Sequence, residues 1–353
     1  SAAEEQLLAG FGELLGAPGE IADNLQDADM VFEPVKDSQG NTVEVTGSNY
    51  ILLQSSNDRT LRENAFRSYY KGYRQHINTF AATYAADIKA AVAEAKARHY
   101  ESSRAMSMAG ENIPASVYDN LVTTVRAHLP AMYRYVALRK KILGVDELHY
   151  YDVYASLMAD NDTRYTYEQA QQMVLDAVSP LGTDYVEQVK KAFATRWIDV
   201  YPNRGKSGGA YSSGSYDSDP YIMTNFTGTL DSVSTIAHEM GHSMHTWHSN
   251  HAQPAQYANY TLFVAEVAST VNENLMIEQL LKKEQEPHAR LALLNQYLEN
   301  FKGTVYRQTM FAEFEREAYA IAERGEALNP AALNALYRQL IVDYFGPDLV
   351  VDD

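Results

Sequence analysis

The sequence contains no cysteine. It can build neither a disulfide framework nor a thiolate metal site, so any bound transition metal must take its ligands from histidine, aspartate and glutamate. It also lacks any run of about twenty consecutive apolar residues, the length a membrane-spanning helix needs. The first residues, Ser1-Ala2-Ala3-Glu4-Glu5, do not make the basic segment and apolar stretch of a secretory signal. Basic residues are scarce: 29 Lys and Arg against 46 Asp and Glu leave a net charge of −17. A nucleic-acid backbone or an anionic membrane would be repelled over much of such a surface. The expectation is a cytoplasmic globular protein with neither nucleic acid nor membrane as its partner.

What is present supports a sizeable core. The chain has 353 residues, 46% of them hydrophobic, enough for one large domain or two ordinary ones. Residues 1 to about 28 carry glycines among short apolar pairs and read as broken helix. A turn cluster, Asp37-Ser38-Gln39-Gly40-Asn41, predicts a small hairpin within about residues 30–53. From about Asn57 the apolar spacing turns helical through Leu61, Ala65, Tyr69 and Tyr73 and continues to about Tyr100, with a break expected near Gly72. Ser116 is the expected cap of the next helix, Gly144 stops another, and Thr166-Tyr167-Glu168-Gln169 is a capping box. Residues 199–219 are rich in Gly, Ser and Pro and form the one long loop. Pro220–Phe226 reads as a strand, Asp231 as the cap of the helix that follows, and Val264, Val267, Val271 and Leu275 as the apolar face of the helix after that, with Glu266, Thr270 and Glu273 on a polar face. Asn329-Pro330 opens the last helix and Gly346-Pro347 closes it. The fold class is mainly α, with a helical lobe over about residues 1–198 and a metal-binding helical region over 199–353.

The chemistry concentrates in Ile236-Ala237-His238-Glu239-Met240-Gly241-His242-Ser243-Met244-His245. Two histidines four apart on a helix lie one turn apart on one face and can share a tetrahedral zinc, while the glutamate after the first can reach a water in the open position. Five of the ten histidines fall between His238 and His251. A third ligand is needed. His248 has the ten-residue spacing of metzincins, but that geometry needs glycine at position 245, which here is His245, and a continuing helix turns His248 about 80° away. His245 returns to the ligand face but about 10 Å along the helix, too far to share the ion, which leaves it for contact with a ligand residue or with substrate. Glu266, between Ala265 and Val267 in an apolar segment where an unpartnered carboxylate would be costly, completes a His2Glu set.

With Gly208-Gly209-Ala210-Tyr211 and Pro220–Leu230 before this motif, and Phe263-Val264-Ala265-Glu266-Val267-Ala268-Ser269-Thr270 after it, the chain resembles the oligoendopeptidase F group of the thimet-oligopeptidase-like zinc metallopeptidases. The specific likeness runs from about Arg204 to Glu273; the helical remainder is similar at a coarser level. The resemblance implies a multi-helix zincin-type peptidase, two-lobed, with a small β element beside the zinc-binding helix. It implies one Zn2+ held by His238, His242 and Glu266, and Glu239 as general base. Members of the group continue past the last helix into a loop bearing histidine and tyrosines that holds the oxyanion. Against them this chain, ending at Val350-Val351-Asp352-Asp353, is expected to be truncated at both ends.

The expected function is zinc-dependent hydrolysis of internal bonds in short peptides, with Glu239 taking the proton of a zinc-activated water. Substrate is expected along Tyr221–Phe226 as an added strand, touching Tyr221, Met223 and Asn225, with Gly208, Gly209 and Tyr211 closing over it and His245 nearby. The rivals are a zinc carboxypeptidase or aminopeptidase on a related scaffold and a zinc-bearing peptide-binding fragment without turnover. Manganese or cobalt would also suit a His2Glu set.

Overall fold

A computed structural model describes all residues except 48, 158–162, 204–205, 207–208 and 353. The chain divides into two compact units, Ser1–Ala159 with Leu298–Asp353, and Asp160–Tyr297. The sequence division at 198/199 falls elsewhere: it cuts a strand of the second unit, and the last helices belong with the first. The Gly- and Ser-rich stretch 199–219, expected as one long loop, holds Asp199 of one strand and the whole of another, Tyr211–Ser213.

The first unit begins with α1 (Ala2–Gly10), α2 (Gly12–Asn24), β1 (Val35–Lys36), β2 (Thr42–Val43), α3 (Tyr50–Gln54), α4 (Arg59–Gln75) and α5 (Ile77–Ala97). It continues through α6 (Ser103–Ala109), α7 (Ala115–Ala127), α8 (Leu129–Leu143) and β3 (Leu148–His149). The hairpin forms as expected, Val35 opposite Val43. Asp58 caps α4 by accepting from the Leu61 amide at 3.2 Å. The expected break comes at His76 rather than Gly72, because Gly72 serves packing: a Cβ there would stand 2.8 Å from the Phe32 ring. Pro114, not Ser116, precedes α7, a start its fixed φ favours. Gly144 ends α8 at φ +67, in the left-handed region that costs other residues most.

The second unit holds α9 (Tyr167–Val178), α10 (Thr183–Ala194), β4 (Ile198–Asp199), β5 (Tyr211–Ser213), β6 (Tyr221–Met223), α11 (Leu230–Ala252) and α12 (Leu262–Lys283). The chain then runs through α13 (Pro287–Asn300) back into the first unit, where α14 (Gln308–Glu323), α15 (Pro330–Phe345) and β7 (Leu349–Val350) complete it. Thr166 and Gln169 form the capping box, and Asn329 caps α15 by accepting from the Ala332 amide at 3.0 Å.

Each unit has its own core. In the first, Val125, Met132, Val136, Met310, Leu340 and Tyr344 pack together. Its buried charges are partnered: Asp152 accepts from Arg62 at 2.7 Å and Arg59 at 2.9 Å, and Glu313 accepts from Arg126 and the Tyr344 hydroxyl. In the second, Trp197, Ile222, Phe226, Ile236, Met240, Met244 and Met276 form the core. Its sheet has the order β4-β6-β5, with β4 parallel and β5 antiparallel to β6. The strand expected to offer a free edge, β6, is therefore the central one.

Candidate active site

α11 begins where Thr229 accepts from the Ser232 amide at 3.1 Å, so Thr229 is its cap and Asp231 lies in the first turn. Its apolar residues Val233, Ile236, Ala237, Met240 and Met244 are buried in the core, which fixes the rotation of the helix and leaves His238 and His242 half-buried on another side. The two Nε2 atoms come within 3.1 Å of each other. Glu266 of α12 brings Oε2 to 3.3 Å from each. All three donor atoms lie within 4.8 Å of one another.

Helix α12 reaches this position because Gly241 lets it. A Cβ at Gly241 would stand 2.6 Å from Ser269 Cα and 2.7 Å from the Ala268 carbonyl oxygen, so only glycine permits this approach. The Asn272 amide donates to the Ala237 carbonyl at 3.1 Å, and the Tyr185 hydroxyl donates to Asn272 Oδ1 at 3.2 Å. The Ser269 hydroxyl donates to Glu266 Oε2 at 2.7 Å and so orients that carboxylate. Two expectations for α12 fail here. Its buried residues are Ser269, Asn272, Met276 and Ile277, while Val264, Val267 and Val271 are exposed, Val267 by 58%. Backbone proximity at Gly241 selects small and polar side chains for the contact face and turns the valines outward. Glu266, expected to be buried, is 64% exposed; its place comes from helix register and Ser269, not from burial.

Sequence reasoning underrated Glu273. Its Oε1 is 3.5 Å from His238 Nδ1, opposite the nitrogen that faces Glu266. A carboxylate on the far nitrogen fixes the tautomer and rotation of an imidazole whose other nitrogen is to bind an ion. The signal was legible: Glu273 follows Glu266 by seven residues, two turns, on the same side of α12.

Electrostatics separate His238, His242 and Glu239. Burial opposes protonation of His238, but the hydrogen bond and charge of Glu273 outweigh it and raise its pKa; His242, where burial dominates despite Glu266, is lowered. Glu239 is 6% exposed, and burial, with Glu266 and Glu273 adding to it, raises its pKa against the pull of His238. Glu239 Oε2 is buried with no hydrogen-bond partner among the described residues. An orphaned carboxylate oxygen of that kind is costly unless a ligand or water completes it.

The remaining candidates are dispersed. His245 is not among the three donors: its ring stacks on Tyr260 at 3.6 Å, and the Tyr260 hydroxyl is 3.0 Å from Thr246 Oγ1. His248 is exposed and lies beside Tyr185. Tyr211 opens β5 and is exposed; Tyr221 is exposed on β6 and Met223 is half-buried. The Asn225 amide donates to the Gly209 carbonyl at 2.9 Å, and Gly209 has φ +78. A cavity of about 250 Å3 is bordered by Gly209, Asn225, Thr227 and Ser232. Gly208 lies outside the described residues. Ser212 Oγ and Ser243 Oγ, 2.8 Å apart, tie β5 to α11 one residue beyond His242.

A mainly helical scaffold that sets a His-Glu-x-x-His helix against a glutamate of the next helix has the zincin-type architecture of metallopeptidases. The chain belongs to Peptidase family M3, which it matches over residues 52–353. It is 44% identical to "Oligopeptidase PepF" of Bacillus subtilis over 349 residues, 99% of this chain and 52% of that protein. Among solved structures it is similar to a putative peptidase from Chlamydophila abortus, with TM-score 0.86 and 35% identity over 100% of this chain and 59% of that one. It is also similar to oligoendopeptidase-F from Enterococcus faecium, with TM-score 0.76 and 36% identity over 99% of this chain and 56% of that one. The chain thus spans about half the length of the curated relatives it matches. Among the described residues no helix is long and apolar enough to cross a membrane.

Proposed function

We propose that the chain carries the catalytic centre of a zinc-dependent oligopeptidase that hydrolyses internal bonds of short peptides. The observation that carries this reading is the triangle of donor atoms, His238 Nε2, His242 Nε2 and Glu266 Oε2, with edges of 3.1, 3.3 and 3.3 Å. One face of a tetrahedron with metal–ligand distances of about 2.0–2.1 Å has edges of about 3.3 Å, and two imidazoles with one carboxylate are a donor set zinc accepts. When bound there, zinc supplies Lewis acidity, lowering the pKa of a water and polarising the scissile carbonyl. Membership of Peptidase family M3 supports the same reaction class.

The chain's own residues do the rest. Glu239 takes the proton of the attacking water and passes it to the leaving amine, a task suited to a buried carboxylate with one uncommitted oxygen. Glu273 holds His238 in the tautomer that presents Nε2. Substrate is placed along β5 rather than β6: β5 ends the three-stranded sheet, pairs among the described residues only with β6, and is anchored to α11 through Ser212 and Ser243. A peptide added to that edge would bond through its backbone, giving affinity with little sequence demand. Tyr211 and the Gly209 turn flank the same edge.

Metal analysis joined to mass spectrometry of an end-blocked peptide tests the reading. The expected result is about one zinc per chain and cleavage at an internal bond. An intact blocked peptide beside trimming of its free-ended counterpart would replace the endopeptidase reading with an exopeptidase. Stoichiometric zinc and saturable peptide binding without hydrolysis would reduce the chain to a binding fragment.

A further inference from the structure

Of the three donor residues, Glu266 is the least enclosed. Its side chain is mostly exposed, whereas those of His238 and His242 are largely covered. No wall of the protein fixes its carboxylate, and among the described residues its only hydrogen-bond or ion-pair partners are the two histidines and Ser269. The contact is specific to one oxygen. Oε2, the atom 3.3 Å from each histidine Nε2, is also the atom that accepts from the Ser269 hydroxyl at 2.7 Å.

Ser269, by contrast, is held. It is fully buried on the face of α12 that meets Gly241, where a Cβ on the glycine would stand 2.6 Å from the serine Cα. Its hydroxyl has one proton and two acceptors in range, Glu266 Oε2 at 2.7 Å and the Glu266 carbonyl at 3.0 Å. The carbonyl already accepts from the Thr270 hydroxyl. A bond to a charged acceptor is the shorter and stronger one, so the Ser269 proton goes to the carboxylate. A donor fixed by backbone packing thus restrains one oxygen of a carboxylate that nothing else confines.

We propose that Ser269 sets the metal preference of this site by committing Glu266 to ligation through Oε2 alone. This role rests on the zinc site of the proposed peptidase. Zinc is satisfied by a tetrahedral set rich in nitrogen, whereas manganese takes an octahedral set and favours oxygen. With one carboxylate oxygen restrained, the chain offers two imidazole nitrogens and a single oxygen, a short donor list that suits zinc. Without the Ser269 bond the exposed carboxylate can rotate and present both oxygens, adding the kind of donor from which manganese gains most. The general order of divalent affinities already places zinc above manganese, and Ser269 widens that gap.

Competitive chelator titration of the 353-residue chain with Zn2+ and with Mn2+ gives the two affinities and their ratio. Ser269→Ala is the variant, since alanine is smaller and the better helix former, and circular dichroism of the metal-free protein confirms its fold. Zinc affinity should fall by about 10–100-fold, the range for a lost support of a ligand, and manganese affinity by at least about tenfold less. The second readout is the visible spectrum of the Co2+-loaded chain, whose bands weaken as ligands are added: they should be less intense in Ser269→Ala than in the wild type. Equal weakening of zinc and manganese, an unchanged affinity ratio, or an unchanged cobalt spectrum would each overturn the role of Ser269 while leaving the zinc site standing. A wild-type chain that bound no zinc would remove the site and this role together.

Discussion

Gly241 and Ser269 face each other backbone to backbone: a Cβ on the glycine would stand 2.6 Å from the serine Cα. The separation of α11 and α12 is therefore set by the absence of one methyl group, and with it the reach of Glu266 to the histidines.

Gly241→Ala should force the helices apart. Alanine is the better helix former by about 1 kcal/mol, but overpacking against backbone costs about 1–3 kcal/mol. The expected outcome is a lower melting temperature together with zinc affinity reduced tenfold or more, read by thermal denaturation and competitive chelator titration. Wild-type affinity in this variant would mean that α12 is not held by close approach.

Glu239→Gln keeps the shape of the side chain and removes its basicity. Zinc content should stay near stoichiometric while peptide hydrolysis falls by about 10²–10⁴, the range for loss of a general base. Plasma emission analysis and initial rates on one end-blocked peptide decide the matter; normal turnover would take Glu239 out of the base role.

Glu273→Gln tests the carboxylate behind His238. Loss of such a partner typically costs about 10–100-fold in metal affinity. Thermal stability measured without metal should change little, which separates positioning from general support, and Glu273→Asp should recover part of the affinity. A large stability loss with unaltered affinity would assign Glu273 to the packing of α12.

Lys302 gives a pH-dependent stability term in the first unit. Burial pushes its pKa down from 10.5 to about 8, against the attraction of Glu299 and together with the repulsion of Arg139. Its ammonium donates to the Val153 carbonyl at 2.9 Å and pairs with Glu299. Below about pH 8 the lysine is charged in both folded and unfolded chains and adds no slope. Between about 8 and 10.5 only the unfolded chain holds the proton, so stability rises with pH across that window. Urea denaturation at pH 7.5 and pH 10 should show the wild type gaining roughly 2–3 kcal/mol relative to Lys302→Met. Parallel pH profiles in the two proteins would show that burial of Lys302 carries no such penalty.

The parts of this fold that obey local rules were legible in the sequence. Thr166 and Asn329 cap the helices they were expected to cap, because a side-chain oxygen and a nearby amide are all such a cap requires. His238 and His242 share a face for the same reason, since 3.6 residues per turn leave no other arrangement. Long-range packing was not legible. The valines of α12 looked like a buried stripe, and only the approach of Gly241 to Ser269, 28 positions away, shows why the opposite face is inside. The pairing of β6 was not legible because its partners β4 and β5 are two and three residues long and carry little strand signal of their own. Glu266 was reached from a mistaken premise about burial, and Glu273, within reach of His238 Nδ1 by a count of seven along the helix, was weighed as a support for a ligand histidine and ranked below a solvated position.

The first unit is discontinuous, its two pieces separated by Asp160–Tyr297, whereas the second is one uninterrupted stretch. Emerging from a ribosome, the stretch with the three donor residues is complete before α14 and α15 exist, and its core residues all lie within it. The first unit must wait: Arg126 is made long before Glu313 and Asp343, the acids it will bind, and the α7 and α8 surfaces that α14 and α15 cover stay exposed meanwhile. During synthesis that unit is the one that would engage chaperones, so substitutions at the Arg126–Glu313 contact should lower the yield of folded protein more than they alter the chemistry of the finished molecule.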